Sequence, residues 1–315
     1  MNGFNAGYML KTACRSRGEK MVESFRGLII KKEDGSEKVN YNNDNFPCYI
    51  HAGWVEPWCS WINIPHYHED LEFVTITRGE MGYNVNGEKI ILHEGDTLMV
   101  NSSQIHFSFT TGEERCNYYI NILHPSLLCS SFVVQNERVE PITKNQNLPY
   151  IHFKEGSFEA KRLFVQAQAL HDSLENEFNI TLEFFKLFKI VRNYCRDNNL
   201  LASPTGYVTN DMNFRNMLKF IHTRFAEQIS LGDIAKSGNV SKTYCNMLFK
   251  KFTGSSPIDN LNRYRAERVA YYVTSTNLSM SEIAEKTGFS GASYMSETFK
   301  KFYGVAPRNY VLPKE

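Results

Sequence analysis

The sequence predicts an α+β chain in three parts: an N-terminal β-barrel, a connecting pair of helices and a C-terminal all-α region of two tandem helix-turn-helix units. Three observations carry that prediction. Between Pro47 and His124, short β-branched and aromatic runs alternate with glycine-containing breaks. From about Ser157 the apolar spacing changes to three and four residues, and near the C-terminus one stretch of sequence occurs twice.

Residues 1–25 have basic character but no apolar segment ahead of a small-residue cleavage site, so they read as a loosely specified leader, with Met1 and Met21 both open as starts. The barrel is assigned to 26–152. Its strands are Val74 to Ile76, Met81 to Val85, Lys89 to Leu92, Thr97 to Val100, Phe107 to Thr110 and Tyr118 to Ile122. Asn86-Gly87 between two of these runs signals a two-residue hairpin. Residues 153–200 follow as a helical pair, expected to dimerise. Its stripes are Leu163, Ala167, Leu170 and Leu174, then Ile180, Phe184, Leu187, Phe188, Val191 and Tyr194. Residues 201–211, with Ser203-Pro204-Thr205-Gly206, read as a linker to the helical region 212–315.

Composition sets the frame for function. The chain of 315 residues is long enough for two or three cores, and no run of about 18 apolar residues suggests a membrane span. Seven cysteines, odd in number and without CxxC spacing, fit reduced thiols in a cytoplasmic protein. The net charge of +1 conceals an asymmetry: residues 211–315 hold 15 Lys and Arg against 9 Asp and Glu, while the remainder holds 20 against 25. A basic C-terminal third on a mildly acidic body suits a nucleic-acid-binding module joined to a non-binding one.

The repeat is specific. Ile229 to Ser241 aligns with Leu278 to Ser290, and Tyr244, Phe249-Lys-Lys-Phe252, Gly254 and Pro257 align with Tyr294, Phe299-Lys-Lys-Phe302, Gly304 and Pro307. In the first copy, Ser230 caps a short helix in a capping box with Asp233, and Ser237-Gly238-Asn239 ends it. A second helix from Ser241 or Lys242 buries Cys245, Leu248, Phe249 and Phe252 and presents Lys242, Thr243, Asn246, Met247 and Lys250. In the second copy, Ser279 caps and Thr287-Gly288 turns. The following helix buries Tyr294, Met295, Thr298, Phe299 and Phe302 and presents Ala292, Ser293, Ser296, Glu297 and Lys300. Between the copies, Pro257 to about Thr274 forms a rod of about 27 Å, which suits two recognition helices set roughly one DNA turn apart, about 34 Å.

The run Ile-Ala…Gly-Phe-Ser…Ser-Tyr-Met…Phe-Lys-Lys-Phe-Tyr-Gly-Val-Ala-Pro-Arg-Asn-Tyr310 strongly resembles the signature of the AraC/XylS regulators over residues 212–311. The resemblance implies double-stranded DNA, RNA polymerase and a small-molecule effector as partners, and a homodimer. Carried over by position, it implies base contacts from Thr243, Asn246, Met247, Ala292, Ser293 and Glu297. Phosphate contacts fall to Lys250, Lys251, Lys300 and Lys301. Asn246 has the donor and acceptor to pair with adenine and Glu297 can accept from cytosine. Glu297 stands where many relatives carry Arg, so the second unit is expected to contribute position more than base reading.

In the barrel, His66-Tyr-His68-Glu-Asp-Leu-Glu72, Gly79, Gly95 and His106 have the spacing of the two cupin motifs, which makes the barrel cupin-like. Histidines at i and i+2 of a strand face one side, and three imidazoles with a carboxylate suit a divalent transition metal. The motif departs at Ser60, Asn101, Ser103 and Thr110, so hydrogen bonding is the expected role of His66, His68, Glu72 and His106, and no cofactor is expected. Trp54, Trp58 and Trp61, with Tyr67 and Phe107, are candidates to line an effector cavity, a carbohydrate being one class that flat apolar faces beside histidines would take. Set against a regulator are a metal-dependent cupin enzyme with a helical appendage and an activator blind to any effector.

Overall fold

The central strands are buried on both faces, and successive side chains along each go to two different packing surfaces. The computed structural model describes residues 11–12, 24–25, 30–32, 36–43, 45–55, 64–111, 114–201 and 209–310. Four two-residue strands come first: β1 (Lys11–Thr12) pairs with β2 (Ser24–Phe25), and β3 (Ile30–Lys31) with β4 (Glu37–Lys38). The barrel follows as β5 (Cys48–Val55), β6 (Leu71–Arg78), β7 (Glu80–Val85), β8 (Glu88–His93), β9 (Thr97–Val100), β10 (His106–Phe109), β11 (Cys116–Leu123) and β12 (Tyr150–Phe153). They form an antiparallel five-stranded sheet, β12-β9-β6-β11-β5, and an antiparallel three-stranded sheet, β10-β7-β8. All six predicted strands are present. β5 and β12 are additions, and each is an edge strand of the five-stranded sheet.

One face of the large sheet meets the small sheet. Val74 and Ile76 of β6, Leu98 and Val100 of β9 and Tyr118, Ile120 and Ile122 of β11 pack there against Met81, Tyr83 and Val85 of β7 and Ile90 and Leu92 of β8. The other face carries Cys48, Ile50, Leu71, Phe73, Met99 and Ile151, covered by helices. The β7–β8 connection is the expected hairpin: Asn86 and Gly87 have φ of 51° and 94°, as a primed turn requires.

After β11, α1 (Phe132–Val134) runs through a π turn (Gln135–Val139) into α2 (Glu140–Thr143). The helical pair is α3 (Phe158–Asp172), capped by Ser157, and α4 (Glu177–Asp197), capped by Asn176. Leu163, Ala167, Leu170, Ile180, Phe184, Leu187, Phe188 and Val191 are buried as expected, each side chain larger than that of Ala167 being worth about 1.5–3 kcal/mol. Leu174 is a correction. α3 ends at Asp172, and Leu174 in the turn beyond is 38% exposed.

The C-terminal region comprises α5 (Thr209–Arg224), α6 (Leu231–Ser237), α7 (Lys242–Thr253), α8 (Pro257–Ser275), α9 (Met280–Lys286) and α10 (Ala292–Tyr303). The expected linker 201–211 is therefore helical from Thr209, and 202–208 lie outside the described residues. Phe214, Met217, Leu218 and Ile221 of α5 pack with α6 and α7 in one core, and α8 through α10 form a second. Among the described residues no helix is long and apolar enough to cross a membrane.

Candidate nucleic-acid interface and barrel site

The repeat becomes two superimposable motifs through the same local chemistry. Ser230 accepts from the Asp233 amide while Asp233 accepts from the Ser230 amide, and Ser279 with Glu282 does the same. α7 and α10 each end on a glycine at φ 72°, Gly254 and Gly304, a left-handed position that explains why those two glycines align in the repeat. Cys245, Leu248, Phe249 and Phe252 are buried, and Lys242, Thr243, Asn246, Met247, Lys250 and Lys251 are exposed. The Asn246 amide nitrogen donates to the Lys242 carbonyl at 3.1 Å, and Lys250 Nζ to the Gly254 carbonyl at 3.1 Å, so each side chain is held on its own helix.

α10 departs from expectation at Tyr294, Ala292, Ser296 and Phe302, the last being only half-buried. Tyr294 is 46% exposed rather than buried, because its ring packs edge-on against Phe289 and its hydroxyl accepts from Asn262 at the surface. Ala292 and Ser296 are half-buried rather than presented, leaving Ser293, Glu297 and Lys300 exposed. Lys301 is exposed but lies 3.3 Å from Asp259 of α8, an ion pair that phosphate would have to displace.

The two units touch. Buried Arg265 of α8 donates from Nε to the Phe225 carbonyl (2.8 Å) and from Nη2 to the Glu227 carbonyl (2.7 Å), and Gln228 Nε2 donates to the Gly288 carbonyl (3.1 Å). Gly288 has φ 75°, and a Cβ there would strike the Phe225 carbonyl, so the second unit's turn seats on the loop that follows α5. Residues 225–228 carry no motif, and sequence reasoning missed this brace.

Inside the barrel, His66, His68, Glu72 and His106 are all buried, with one ligand atom from each lying within 4.8 Å of the others. Backbone bonds between His66 and His106 at 3.1 and 2.9 Å bring the two segments together. Glu72 Oε2 lies 3.4 Å from His68 Nε2 and 3.3 Å from His106 Nε2, while Glu72 Oε1 accepts from the Tyr83 hydroxyl at 2.8 Å. Both His66 Nδ1 (to Ile64, 2.8 Å) and His106 Nδ1 (to Gln104, 2.9 Å) contact backbone carbonyls, which only accept. Those Nδ1 atoms therefore carry the protons, and in the neutral rings Nε2 presents a lone pair to the carboxylates. Such opposition is relieved by a proton or by a metal ion. Metal-ligating histidines are held by just this kind of Nδ1–H to carbonyl bond, so the donor set fits a divalent first-row ion.

Glu37 joins the site without any sequence signal. Its amide donates to the Tyr67 carbonyl at 2.7 Å, and its Oε2 lies 3.3 Å from His66 Nε2. Asp70, held by the Tyr41 hydroxyl at 2.8 Å, places Oδ2 3.7 Å from His68 Nδ1. Burial alone would lower the His68 pKa, but the Glu72 hydrogen bond and the charges of Glu72, Asp70 and Glu37 raise it. Burial alone would raise the Glu72 pKa, and His106 and His68 hold it well below the usual carboxylate range. Asn101, the departure from the motif's proline, donates to the Ile142 and Leu148 carbonyls at 2.8 Å each and so pins α2 and the segment after it.

The aromatic lining is corrected. Trp54 shares its β5 face with Cys48 and Ile50, which meet the helices, whereas Val55 faces the interior; Arg115 stacks 5.7 Å from the Trp54 ring. Phe107 pairs opposite Asn84, on the face away from interior Tyr83 and Val85. Tyr67 leaves the barrel for the core around α5. Trp58 and Trp61 lie outside the described residues.

A helix-turn-helix domain model matches residues 234–312 and a cupin domain model matches 55–122. The chain is similar to the HTH-type transcriptional regulator YdeC of Bacillus subtilis, 25% identical over 250 residues that cover 78% of this chain and 84% of that one. With both domains matched and its relatives HTH-type transcriptional regulators, it is similar to the AraC/XylS family. As such it is a DNA-binding regulator and not an enzyme, which removes the metal-dependent enzyme as an alternative. The activator RhaS of Enterobacter sp. is 22% identical over 276 residues, covering 86% of this regulator and 95% of the relative. Among solved structures, fatty-acid-bound ToxT of Vibrio cholerae is 11% identical, covering 86% of this regulator and 96% of that chain, with a TM-score of 0.44.

Proposed function

We propose that this regulator binds its operators as a homodimer in the cytoplasm and that occupancy of the buried His/Glu cluster controls it. Residues 26–152 would sense, 153–200 would assemble the dimer and 212–315 would bind DNA, with RNA polymerase as the partner at promoters. The exposed row Thr243, Asn246, Met247 and Lys250 on an otherwise buried helix is the observation that carries the DNA-reading assignment. The second unit would contribute Ser293, Glu297, Lys300 and Lys301, with Ala292 and Ser296 at its half-buried edge.

The test is footprinting followed by binding to the protected site. Asn246→Ala should cost about 1–3 kcal/mol at one half-site, and Glu297→Ala distinctly less. Equal losses at both halves would refute the inequality of the units, and wild-type binding no tighter than to random DNA at equal salt would refute specific recognition. Affinity should fall steeply with salt as phosphate counterions are released.

For the barrel, the lone pairs that His106 Nε2 turns to Glu72 and His66 Nε2 turns to Glu37 favour a divalent transition metal over the aromatic sugar platform expected from sequence, since Trp54, Tyr67 and Phe107 face elsewhere. His66, His68, Glu72 and His106 would hold the ion, with Glu37 beside it. Bound there, the ion would neutralise the carboxylates and offer a position to an oxygen-bearing effector. Metal analysis of purified protein should give about one equivalent, lost in the His66→Ala, His68→Ala variant; no metal in wild-type protein would return the cluster to a hydrogen-bonding role.

A further inference from the structure

We propose that filling the His66, His68, Glu72 and His106 cluster with a divalent first-row metal ion fixes how the first helix-turn-helix unit docks on the barrel, so that site occupancy is read in the DNA-binding region. This rests on the metal reading above and adds the route by which it acts. The observation is that the two segments carrying the histidines are also the segments that grip the DNA-binding region. Extended chain turns alternate side chains to opposite faces. His66 and His68 face the cluster, while Tyr67 between them enters the core of Phe214, Met217 and Leu218. His106 likewise faces the cluster, and Ile105 before it is 1% exposed in that same core.

Polar links tie the two faces together. Arg215 of α5 places its guanidinium 5.0 Å from the Tyr67 ring and donates from Nη2 to the Ser103 carbonyl, and the Ser103 amide donates to the His68 carbonyl at 2.7 Å. The Ile64 carbonyl that holds His66 Nδ1 belongs to a residue whose side chain packs on Tyr264 of α8. The Gln104 carbonyl that holds His106 Nδ1 is matched by a Gln104 side chain that accepts from Asn86 at 2.7 Å. Next to Asn86, Gly87 has φ 94° and abuts the Lys251 backbone so closely that any Cβ would collide with it.

An ion shared by imidazoles from both segments clamps them at one separation. Without it, the two His66–His106 backbone bonds hold the segments alone, against imidazole lone pairs that face carboxylates. Because inward and outward side chains share one extended backbone, that separation sets the positions of Tyr67 and Ile105 under α5. Thr243, Asn246 and Met247 remain exposed with the dock formed, so docking orients the reading helix and does not cover it.

The experiment is hydrogen exchange on the full-length protein, stripped with chelator and then titrated separately with Zn(II), Mn(II) and Ni(II). At least one ion should slow exchange of amides in 214–221 by about fivefold or more, the lower end of ordinary coupling between sites. Arg215→Ala, checked for folding by circular dichroism, should keep one equivalent of metal, lose the slowing and bind the ion about fivefold more weakly, since coupling is reciprocal. Uptake of no ion overturns the proposal together with the metal reading. Uptake that leaves exchange in 214–221 unchanged, with equal affinity in Arg215→Ala, overturns the coupling alone.

Discussion

At the scale of single residues, carboxylates do most of the organising. Asp96, in the turn between β8 and β9, accepts from the His93 amide (2.9 Å), the Glu155 amide (2.7 Å) and His152 Nε2 (2.9 Å), tying the turn to the chain after β12. Burial alone would raise its pKa, and these donors, led by the His93 amide, pull it below the usual range. A carboxyl depressed on folding stabilises above its unfolded value and loses that contribution as pH falls through its folded one. Wild-type melting temperature should therefore drop from about pH 4 downward. Asp96→Asn should flatten that drop and cost about 1–3 kcal/mol at neutral pH; an unchanged acid limb in thermal scans would remove Asp96 from this role. Cys48, Cys116 and Cys195 are buried free thiols pushed up by that burial to about 12, and Cys245 to about 11, in keeping with unreactive packing residues.

At the scale of elements, α4 has two faces and only one is covered. Ile180, Phe184, Leu187, Phe188 and Val191 pack against the sheet, while Phe178, Leu182 and Phe185 stay 77%, 45% and 36% exposed. Their spacing of four and three puts them on one stripe, and Phe158 and Val165 of α3 are likewise exposed, at 68% and 67%. A second copy of the same pair is the partner we propose. Leu182→Glu together with Phe178→Ser should halve the mass seen by light scattering without lowering the melting temperature; a protein that is monomeric before mutation would refute the assembly.

At the scale of the whole molecule, the two reading units share a scaffold with little freedom. α8, about 28 Å long, spans between their cores. Arg265 fastens its flank to the first unit and Gln228 reaches the turn of the second. Removing Arg265 takes the charged donor from the Phe225 and Glu227 carbonyls, a loss of about 1.5–3 kcal/mol for each bond. Arg265→Ala should lower stability accordingly. It should also weaken binding to a complete operator more than binding to an isolated half-site, as measured by fluorescence anisotropy on both DNAs.

Local chemistry was legible wherever it is written in neighbouring residues. Ser230 with Asp233, Ser279 with Glu282, the Asn86-Gly87 hairpin and the inward row Cys245, Leu248, Phe249 and Phe252 needed only short spacings, because caps, primed turns and helical faces are settled within a few residues. The HxH spacing likewise brought His66 and His68 to one side, and the two-copy alignment revealed the tandem units. What only the tertiary structure decided depends on partners distant in sequence. Glu37 reaches His66 through a backbone bond to Tyr67, Trp54 and Phe107 turn from the interior because sheet register sets their face, and Tyr294 lies at the surface beside Phe289. Tyr67 and Ile105 meet α5 across more than a hundred residues. No local pattern encodes such contacts, since their energy comes from apolar area that exists only once both surfaces have formed.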